Sequence, residues 1–348
     1  MRAVRTAGVV LATCLVVGSL VSSRASAGTA GLVPRLDSLI ASFPGHAGIW
    51  DSEPNASTPI FTHDSDEQVI AASLYKLGVL AEAERRVETG ELSYTDPVVI
   101  QLGDITADGS FVDAGAQLTV EEALEAMITL SDNGPALALW HAFGGASVDE
   151  TLTKIGLSDF HIAFDDSEEN WATPRAVGTF FTLLAKRELV SPAASDRMLA
   201  RLGRQQISDR LPAQLPADVV VAHKTGNLPG IAHDAGIIFT RTGPLVVVAM
   251  TSGARDEDAN SFISSIGALV YNANLERSAD VARGTGQPVS DNVAEWRRER
   301  TMNMAATTRS ASPISSQRAP TPNKARLRGR SRCRSQMKLP TVGRGMTR

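Results

Sequence analysis

The sequence predicts an α+β fold in which strands from both ends of the chain form one antiparallel sheet and the middle of the chain is a mostly helical subdomain. Short runs rich in β-branched and aromatic residues occur near both ends, at Ala47–Trp50, Pro59–Phe61, Val219–Ala222, Ala235–Thr240 and Leu245–Thr251. Apolar residues recur at helical spacing between these runs. The segment Arg241-Thr242-Gly243-Pro244 is typical of a hairpin turn, which favours antiparallel pairing of the last two strands.

The helices are predicted from apolar periodicity and from capping signals. Leu32–Phe43 is the first predicted helix, and Ser73–Glu88 is a longer one that Gly90 ends. Thr119 and Glu122 have the spacing of a capping box, so we expect a helix from there to Leu130. Further helices are predicted at Pro135–Ala142, Ser147–Ile155, Pro174–Lys186, Ser191–Arg201 and Phe262–Tyr271.

The net charge of −4 combines segments of opposite character. Residues 297–348 contain 14 Lys and Arg and one acidic residue, Glu299, whereas residues 28–296 contain 17 basic and 37 acidic residues. An acidic body binds nucleic acid poorly, because attraction to phosphates requires a basic face. We therefore expect no nucleic-acid partner, and we expect the basic C-terminal tail over residues 277–348 to be disordered.

The N-terminus has the pattern of a secretory signal over residues 1–27. Arg2 and Arg5 precede an apolar run, Ala7–Val21, and Ala25-Ser26-Ala27 is a small-residue cleavage site. The apolar run is short for a membrane span, which needs about 20 residues. We expect cleavage near Ala27, a secreted or periplasmic protein without a stable membrane span, and one monomeric domain over residues 28–276. The rival interpretation is an uncleaved anchor.

Cysteine and histidine usage excludes several kinds of chemistry. Cys14 lies in the signal and Cys333 in the tail, so the domain has neither a disulfide nor a thiol nucleophile. The six histidines show no metal-ligand spacing, and neither a Gly-x-Ser-x-Gly elbow nor a phosphate loop is present. We expect no metal and no cofactor.

A serine and a lysine stand three residues apart where the long helix begins. In Ser73-Leu74-Tyr75-Lys76 the two side chains share a helix face, so the amine of Lys76 can reach the hydroxyl of Ser73. Serine is a weak nucleophile until a neighbouring base removes its proton, and a lysine with a lowered pKa can do so. Backbone N–H groups at a helix start also favour a developing oxyanion. The pair predicts nucleophilic catalysis at Ser73.

Two further motifs follow in order along the chain. Ser131-Asp132-Asn133 comes directly after the capped helix, and Lys224-Thr225-Gly226 comes at the end of the strand predicted at Val219–Ala222. With Ser73-x-x-Lys76, this ordered set resembles class A β-lactamases and penicillin-binding proteins. The resemblance extends from about Leu32 to Asn274 and implies the β-lactamase/transpeptidase-like α+β fold.

The resemblance also implies catalytic roles. Ser73 would attack an activated amide carbonyl and become acylated, with Lys76 as its base. Ser131 would relay a proton to the leaving nitrogen. Backbone N–H groups of Ser73 and Asn227 would form the oxyanion hole. Asp132 is expected to fix its loop by bonding to the backbone.

The same resemblance implies how substrate is bound. Lys224, with Thr225, would hold the substrate carboxylate and polarise Ser131. Asn133 would contact the substrate's amide side chain, and Gly226 would leave room for substrate along the strand. Ordinary structural roles compete with these assignments, because Ser also caps helices, Lys is commonly a solvated surface charge, and Asp-Asn-Gly is a common turn sequence.

The acidic segment Phe164–Trp171 departs from the family pattern. Class A β-lactamases carry Glu-x-x-Leu-Asn on a loop, and its glutamate activates the deacylating water; that motif is absent here. Glu168 or Glu169 could take this role, and Asp165 or Asp166 are weaker candidates. The alternative is a solvated acidic loop.

A second departure concerns an arginine that the family usually carries on the strand after Lys-Thr-Gly. His233 and Asp234 stand in that region instead. An arginine there supports binding of the substrate carboxylate, so the sequence leaves that support unassigned.

Three functions remain after this comparison. The leading one is a β-lactamase that catabolises β-lactam antibiotics and so confers resistance. The second is a DD-peptidase or slow esterase acting on peptidoglycan peptides, because an acyl-enzyme without a water-activating base turns over slowly or passes its acyl group to an amine. The third is a non-catalytic β-lactam sensor that stays acylated. In each case the expected partner is a small β-lactam or a peptidoglycan peptide.

Overall fold

A computed structural model describes residues 27–282, and the predicted signal before this range and most of the predicted tail lie outside the described residues. The fold is α+β, as the sequence predicts. The helices are α1 (Ala27–Ser42), α2 (Lys76–Glu88), α3 (Val120–Thr129), α4 (Asn133–Phe143), α5 (Gly145–Lys154), α6 (Pro174–Lys186), α7 (Pro192–Leu202) and α8 (Asp256–Ala282). The strands are β1 (His46–Ser52), β2 (Phe61–His63), β3 (Val69–Ile70), β4 (Pro97–Val99), β5 (Gln117–Thr119), β6 (Phe160–His161), β7 (Trp171–Ala172), β8 (Val221–Leu228), β9 (Ile231–Phe239) and β10 (Pro244–Ser252).

The main sheet joins both ends of the described chain. Its five strands lie in the order β2-β1-β10-β9-β8, and the described pairs are antiparallel. In register, Ile49 of β1 faces Ala249 of β10, and Lys224 of β8 faces Ala235 of β9. The predicted assembly of the sheet from the two chain ends is therefore confirmed.

Both faces of this sheet are covered, which explains why β10 is an almost continuous apolar run. Val246, Val248 and Met250 pack into the core shared with the helical subdomain. The alternate residues Val247 and Ala249 pack on the other face, in the core under α1 and α8. Successive side chains of a strand point to opposite faces, so one strand serves two cores.

Helices α3 and α6 begin at capping residues that can be read from the sequence, whereas α8 is much longer than the predicted helix Phe262–Tyr271. Thr119 and Glu122 form both bonds of the predicted capping box at the start of α3. Thr173 caps α6, and Pro174 occupies the first helical turn. Backbone N–H groups in that turn have no acceptor within the helix, so the N–H that proline lacks costs no hydrogen bond. No helix within residues 27–282 is both long and apolar enough to cross a membrane. Helix α8 continues through residue 276, the expected end of the domain, to Ala282.

The prediction of one regular helix from Ser73 is wrong in its first turn. Ala72–Tyr75 form a 3-10 turn, and α2 begins only at Lys76. Ala72 has a positive φ of 46°, which is costly for a residue with a side chain. The backbone is held there because Ala71 N–H donates to Asn170 O at 2.8 Å. A tertiary contact therefore sets the geometry of this turn over Ala72–Tyr75, the serine turn.

Strand β8 also differs from its prediction. Lys224-Thr225-Gly226 lies inside the strand, because pairing with β9 continues to Leu228 opposite Ile231. The hairpin follows at Gly230, whose φ is 72°.

A second small sheet of order β3-β7-β6 was not predicted, because two-residue strands carry no readable alternation. It places the acidic segment, which joins β6 to β7, beside the serine turn that follows β3.

Candidate active site

Side chains from three distant segments meet at the hydroxyl of Ser131. The Nζ of Lys76 donates to Ser131 O at 2.6 Å and to Ser131 Oγ at 3.2 Å. The Nζ of Lys224 donates to the same Oγ at 2.8 Å and to Thr225 O at 2.8 Å. Because two amines donate to one hydroxyl oxygen, the O–H of Ser131 is left to donate elsewhere.

Ser131 is held in this position by an uncommon backbone conformation. Its φ is 59°, in the left-handed region that side chains disfavour, between the end of α3 and the start of α4. Asp132 caps α4 by accepting from Gly134 N–H at 3.0 Å, and it accepts from Phe111 N–H at 3.2 Å. Asp132 thus bonds to the backbone on both sides of its loop, as the sequence predicts.

Burial lowers the affinity of both lysines for a proton. Lys76 and Lys224 are fully buried. Desolvation lowers the pKa of Lys76 to about 7, against the opposing charge of Asp132. Desolvation first, and then the cations of Lys76 and Arg210, hold the pKa of Lys224 well below its usual value, while Asp234 opposes them. With a pKa of about 7, Lys76 is partly neutral at neutral pH, and a neutral amine is suited to accept a proton.

Ser73 lies beside this cluster and lines a cleft of about 270 Å³. Its hydroxyl makes no hydrogen bond to any residue in the range 27–282, and the amine of Lys76 is bonded to Ser131 and Asn133 instead. The predicted contact between Lys76 and Ser73 therefore stays a prediction. Catalytic hydrogen bonds are often absent before substrate binds.

Asn133 lies between the lysine cluster and a loop on the opposite wall of the cleft. Its Oδ1 accepts from Lys76 at 2.7 Å, and its Nδ2 donates to Thr106 Oγ1 and to Asp108 O, each at 3.0 Å. Both N–H groups of the amide donate to the loop in this way. For the predicted contact with a substrate amide, one of these two hydrogen bonds must break.

Strand β8 forms the other side of the site. Thr225 and Gly226 are buried in it, and Asn227 lines the cleft. A Cβ on Gly226 would lie 3.3 Å from Ala71 O and 3.2 Å from His233 Cδ2. The glycine thus allows β8 to pack closely against the serine turn. This close packing is a second reason for a glycine here, beside the room expected for substrate.

Arg210, which the sequence did not predict as a site residue, supports β8 from the segment between α7 and β8. Its guanidinium donates to Gly226 O at 3.1 Å and to His233 O at 2.7 Å, and it also bonds Asn227 Oδ1. The residue is 2% exposed. No local pattern marks this arginine, so only tertiary structure could reveal it.

His233 and Asp234, which stand where the family usually has an arginine, have structural contacts. His233 Nδ1 accepts from Thr251 N–H at 3.0 Å, so its Nε2–H donates to Ile70 O at 2.9 Å. Burial lowers the pKa of His233 to about 4, which keeps it neutral. Asp234 contacts His223 Nδ1 at 2.8 Å.

The acidic segment forms the remaining wall, and its carboxylates have unequal surroundings. Asp165 accepts from Ser167 N–H at 2.8 Å and from the Ser167 hydroxyl, and these bonds lower its pKa. Glu168 Oε2 accepts from Phe164 N–H at 3.0 Å. Glu169 makes no hydrogen bond or ion pair within residues 27–282. All four loop acids line the cleft with Ser73.

Asn170, also missed from the sequence, attaches this segment to the site. Its Oδ1 accepts from Ala163 N–H at 3.0 Å, and its carbonyl accepts from Ala71 N–H at 2.8 Å. The acidic wall and the serine turn are thus linked by backbone. Among the described residues, no group of three or more potential ligand side chains could hold a metal ion.

Comparison with known proteins gives a consistent result. A model of the β-lactamase enzyme family matches residues 31–274, which include every residue of the site. The β-lactamase VEB-1 of Pseudomonas aeruginosa is 27% identical over 229 residues, 58% of this chain and 75% of the relative. A β-lactamase structure from Sphaerobacter thermophilus DSM 20745 is 28% identical, with a TM-score of 0.65, and the match covers 71% of this chain and 97% of the other.

A further solved structure, that of PBP-A, shares the fold. It is 23% identical, has a TM-score of 0.65, and the match covers 71% of this chain and 96% of that chain.

Proposed function

Because the chain belongs to the β-lactamase enzyme family, we propose that it opens the amide bond of a β-lactam by forming an acyl-enzyme on Ser73. It is a β-lactamase-like serine hydrolase. The observation that carries the proposal is the meeting of Lys76 and Lys224 at Ser131 Oγ, beside a cleft that Ser73 lines. A hydroxyl between two buried amines is suited to relay a proton.

In the acylation step, neutral Lys76 removes the proton of Ser73 Oγ as this oxygen attacks the β-lactam carbonyl carbon. The bond between that carbon and the ring nitrogen then breaks. The nitrogen takes the proton of Ser131, which is replaced from the protonated Lys76. The burial that lowers the pKa of Lys76 to about 7 supports its role as base at neutral pH.

Substrate binding is assigned to the β8 side. Lys224 and Thr225 would attract the carboxylate of the β-lactam, with the Arg210 cation beneath the same strand adding to the field. Backbone N–H groups of Ser73 and Asn227 would bind the oxyanion. Asn133 would bind the acyl side chain after the hydrogen bond from its Nδ2 to Thr106 Oγ1 breaks.

For deacylation, the proposed base is Glu168. Its Oε2 is fixed by Phe164 N–H, and a base that is oriented by a third group is favoured. Glu169 remains the rival, because its carboxylate lines the same cleft. The base would remove a proton from water as the water oxygen attacks the ester carbon. The bond between that carbon and Ser73 Oγ would then break, and the proton held by the base would pass to Ser73 Oγ, which restores the hydroxyl and the carboxylate of the base.

The setting of the protein is proposed from the sequence. We infer export through the predicted signal, cleavage near Ala27, and a monomeric domain over residues 28–276 that works without metal or cofactor. A β-lactamase acts where the antibiotic meets the cell wall, so an exported enzyme fits this chemistry. The domain has no cysteine, so it is stabilised by core packing without disulfides although the inferred destination is oxidising.

Hydrolysis of a chromogenic cephalosporin by wild type, Glu168→Gln and Glu169→Gln tests the turnover. We expect wild type to hydrolyse many equivalents, Glu168→Gln to lose 10²- to 10⁴-fold in kcat, and Glu169→Gln to change little. Loss only in Glu169→Gln would exchange the two roles. One equivalent of product followed by arrest in wild type would contradict the proposed β-lactamase and support a DD-peptidase or a sensor.

A further inference from the structure

A histidine fixed by an aspartate faces Glu168 of the acidic segment. His161 Nδ1 lies 2.9 Å from Asp149 Oδ1, and His161 Nε2 lies 3.7 Å from Glu168 Oε2. Asp149 Oδ1 also accepts from Ile162 N–H at 2.9 Å. The aspartate therefore acts as an acceptor, and His161 donates its Nδ1–H to it.

The same arrangement occurs a second time at the segment. His141 Nδ1 lies 2.7 Å from Asp104 Oδ1, and His141 Nε2 lies 3.9 Å from Asp166 Oδ1. The other oxygen of Asp104 accepts from Gln101 N–H at 2.7 Å. Two histidines from different elements, His141 on α4 and His161 on β6, thus turn their Nε2 atoms toward the acidic segment.

The charge of each histidine decides whether its contact with the segment is attractive. With Nδ1–H donated to the aspartate, a neutral ring presents a lone pair at Nε2, and a lone pair repels a carboxylate. A protonated ring presents N–H and a positive charge, which attract it. Histidine is the side chain whose charge ordinarily changes between pH 5 and 8.

His161 is also packed so that it cannot readily turn away. Its ring lies 5.4 Å from the Trp171 ring and 5.4 Å from the Phe164 ring, and Trp171 faces it across the β6–β7 pair. In the described part of the chain, the charged groups that face His161 are Asp149 of α5 and Glu168. Those that face His141 are Asp104 and Asp166.

We propose that His161 and His141 are positioning residues that, in their charged form, hold the carboxylates of the acidic segment in the cleft that Ser73 lines and so support deacylation. This inference rests on the proposed function, because it concerns how the proposed base Glu168 is placed. Acylation, which uses Lys76 on the other side of the cleft, does not depend on these histidines.

The test measures acylation and deacylation separately by intact-protein mass spectrometry. The full chain is mixed rapidly with penicillin G at pH 6 and quenched with acid at increasing times, so that both formation and loss of the adduct are followed. The variants are His161→Gln, His161→Lys and the control His63→Gln. His63 is a matched control because it is a half-buried histidine 3.3 Å from Asp64, on the edge of the main sheet opposite β8.

At pH 6 we expect His161→Gln to deacylate at least tenfold more slowly than wild type, with unchanged acylation. His161→Lys, which keeps a positive charge at this position, should deacylate within about threefold of wild type. His63→Gln should match wild type. If His161→Gln does not fold, the comparison of His161→Lys with wild type decides.

Equal deacylation of wild type and His161→Gln, or a His161→Lys variant as slow as His161→Gln, would overturn this inference and leave the proposed function intact. A wild type that forms no adduct and hydrolyses no drug, or one whose adduct never clears, would overturn the proposed function itself, and with it this inference.

Discussion

The Nζ of Lys224 lies 2.8 Å from the Oγ of Ser131, although the two residues are 93 positions apart in the chain. Lys76 Nζ donates to the same oxygen at 3.2 Å. This hydroxyl therefore joins β8, α2 and the turn before α4 in one hydrogen-bonded group.

Acylation should rise with pH as Lys76 loses its proton. Its pKa of about 7, set by burial, makes the neutral base the major form only above that pH. We expect the acylation rate constant to increase from pH 5.5 to 8 with a midpoint near 7 in stopped-flow measurements. Lys76→Arg keeps the charge at every pH, so it should lose about 10²- to 10⁴-fold in acylation and show no such rise.

Asp132→Asn should shift this pH dependence downward. The Asp132 charge opposes the lowering of the Lys76 pKa, and its removal leaves burial unopposed. An asparagine Oδ1 can still accept from Gly134 N–H, so the cap of α4 is kept. We expect the midpoint of acylation to fall by about one pH unit. An upward shift in the same measurement would refute this electrostatic assignment.

Arg210→Lys should weaken substrate binding more than it slows the chemistry. A lysine cannot bond Gly226 O, His233 O and Asn227 Oδ1 together, so β8 loses the group that fixes its site-facing end. Steady-state kinetics should show KM raised about tenfold with a smaller change in kcat. A variant with wild-type KM and reduced kcat would contradict this role.

Asp51 should make the protein less stable as pH rises. The side chain is fully buried in β1, and neither carboxylate oxygen has a hydrogen-bond partner within residues 27–282. Burial raises its pKa to about 8, and the nearby Glu53 adds to this. In the unfolded chain an aspartate ionises near pH 4, so between these values only the folded state binds the proton. The free energy of unfolding therefore falls with rising pH in that interval.

Asp51→Asn removes this titration. We expect its gain in free energy of unfolding over wild type to be about 2–4 kcal/mol larger at pH 8 than at pH 5, in urea unfolding at both pH values. The same difference between the two proteins at pH 5 and pH 8 would show that Asp51 does not titrate with folding.

Much of the fold could be predicted because its signals are local. The capping box at Thr119 and the Thr-Pro start of α6 are complete within a few residues, and the sheet strands are strongly apolar. The order of the three motifs predicted that Ser73, Ser131 and Lys224 belong to one site, since family resemblance supplies the long-range information.

What could not be predicted depends on contacts between distant segments. The 3-10 turn at Ser73 is set by the bond from Ala71 to Asn170, and Asn170 is an ordinary loop residue in the sequence. Arg210 and His161 show the same limit, because each acts through partners that lie far away along the chain. Arg210 supports β8 from a different segment than the strand on which the family usually carries an arginine, and no spacing rule reveals it.

The most direct test of the account is the mass of the full-length protein quenched with acid during turnover of penicillin G, followed by peptide mapping. We predict an increase by the mass of one penicillin molecule, located on the peptide that contains Ser73, and neither this adduct nor hydrolysis of the drug in Ser73→Ala. An adduct that persists in Ser73→Ala, or hydrolysis of the drug by Ser73→Ala at the wild-type rate, would contradict the assignment of Ser73 as the nucleophile.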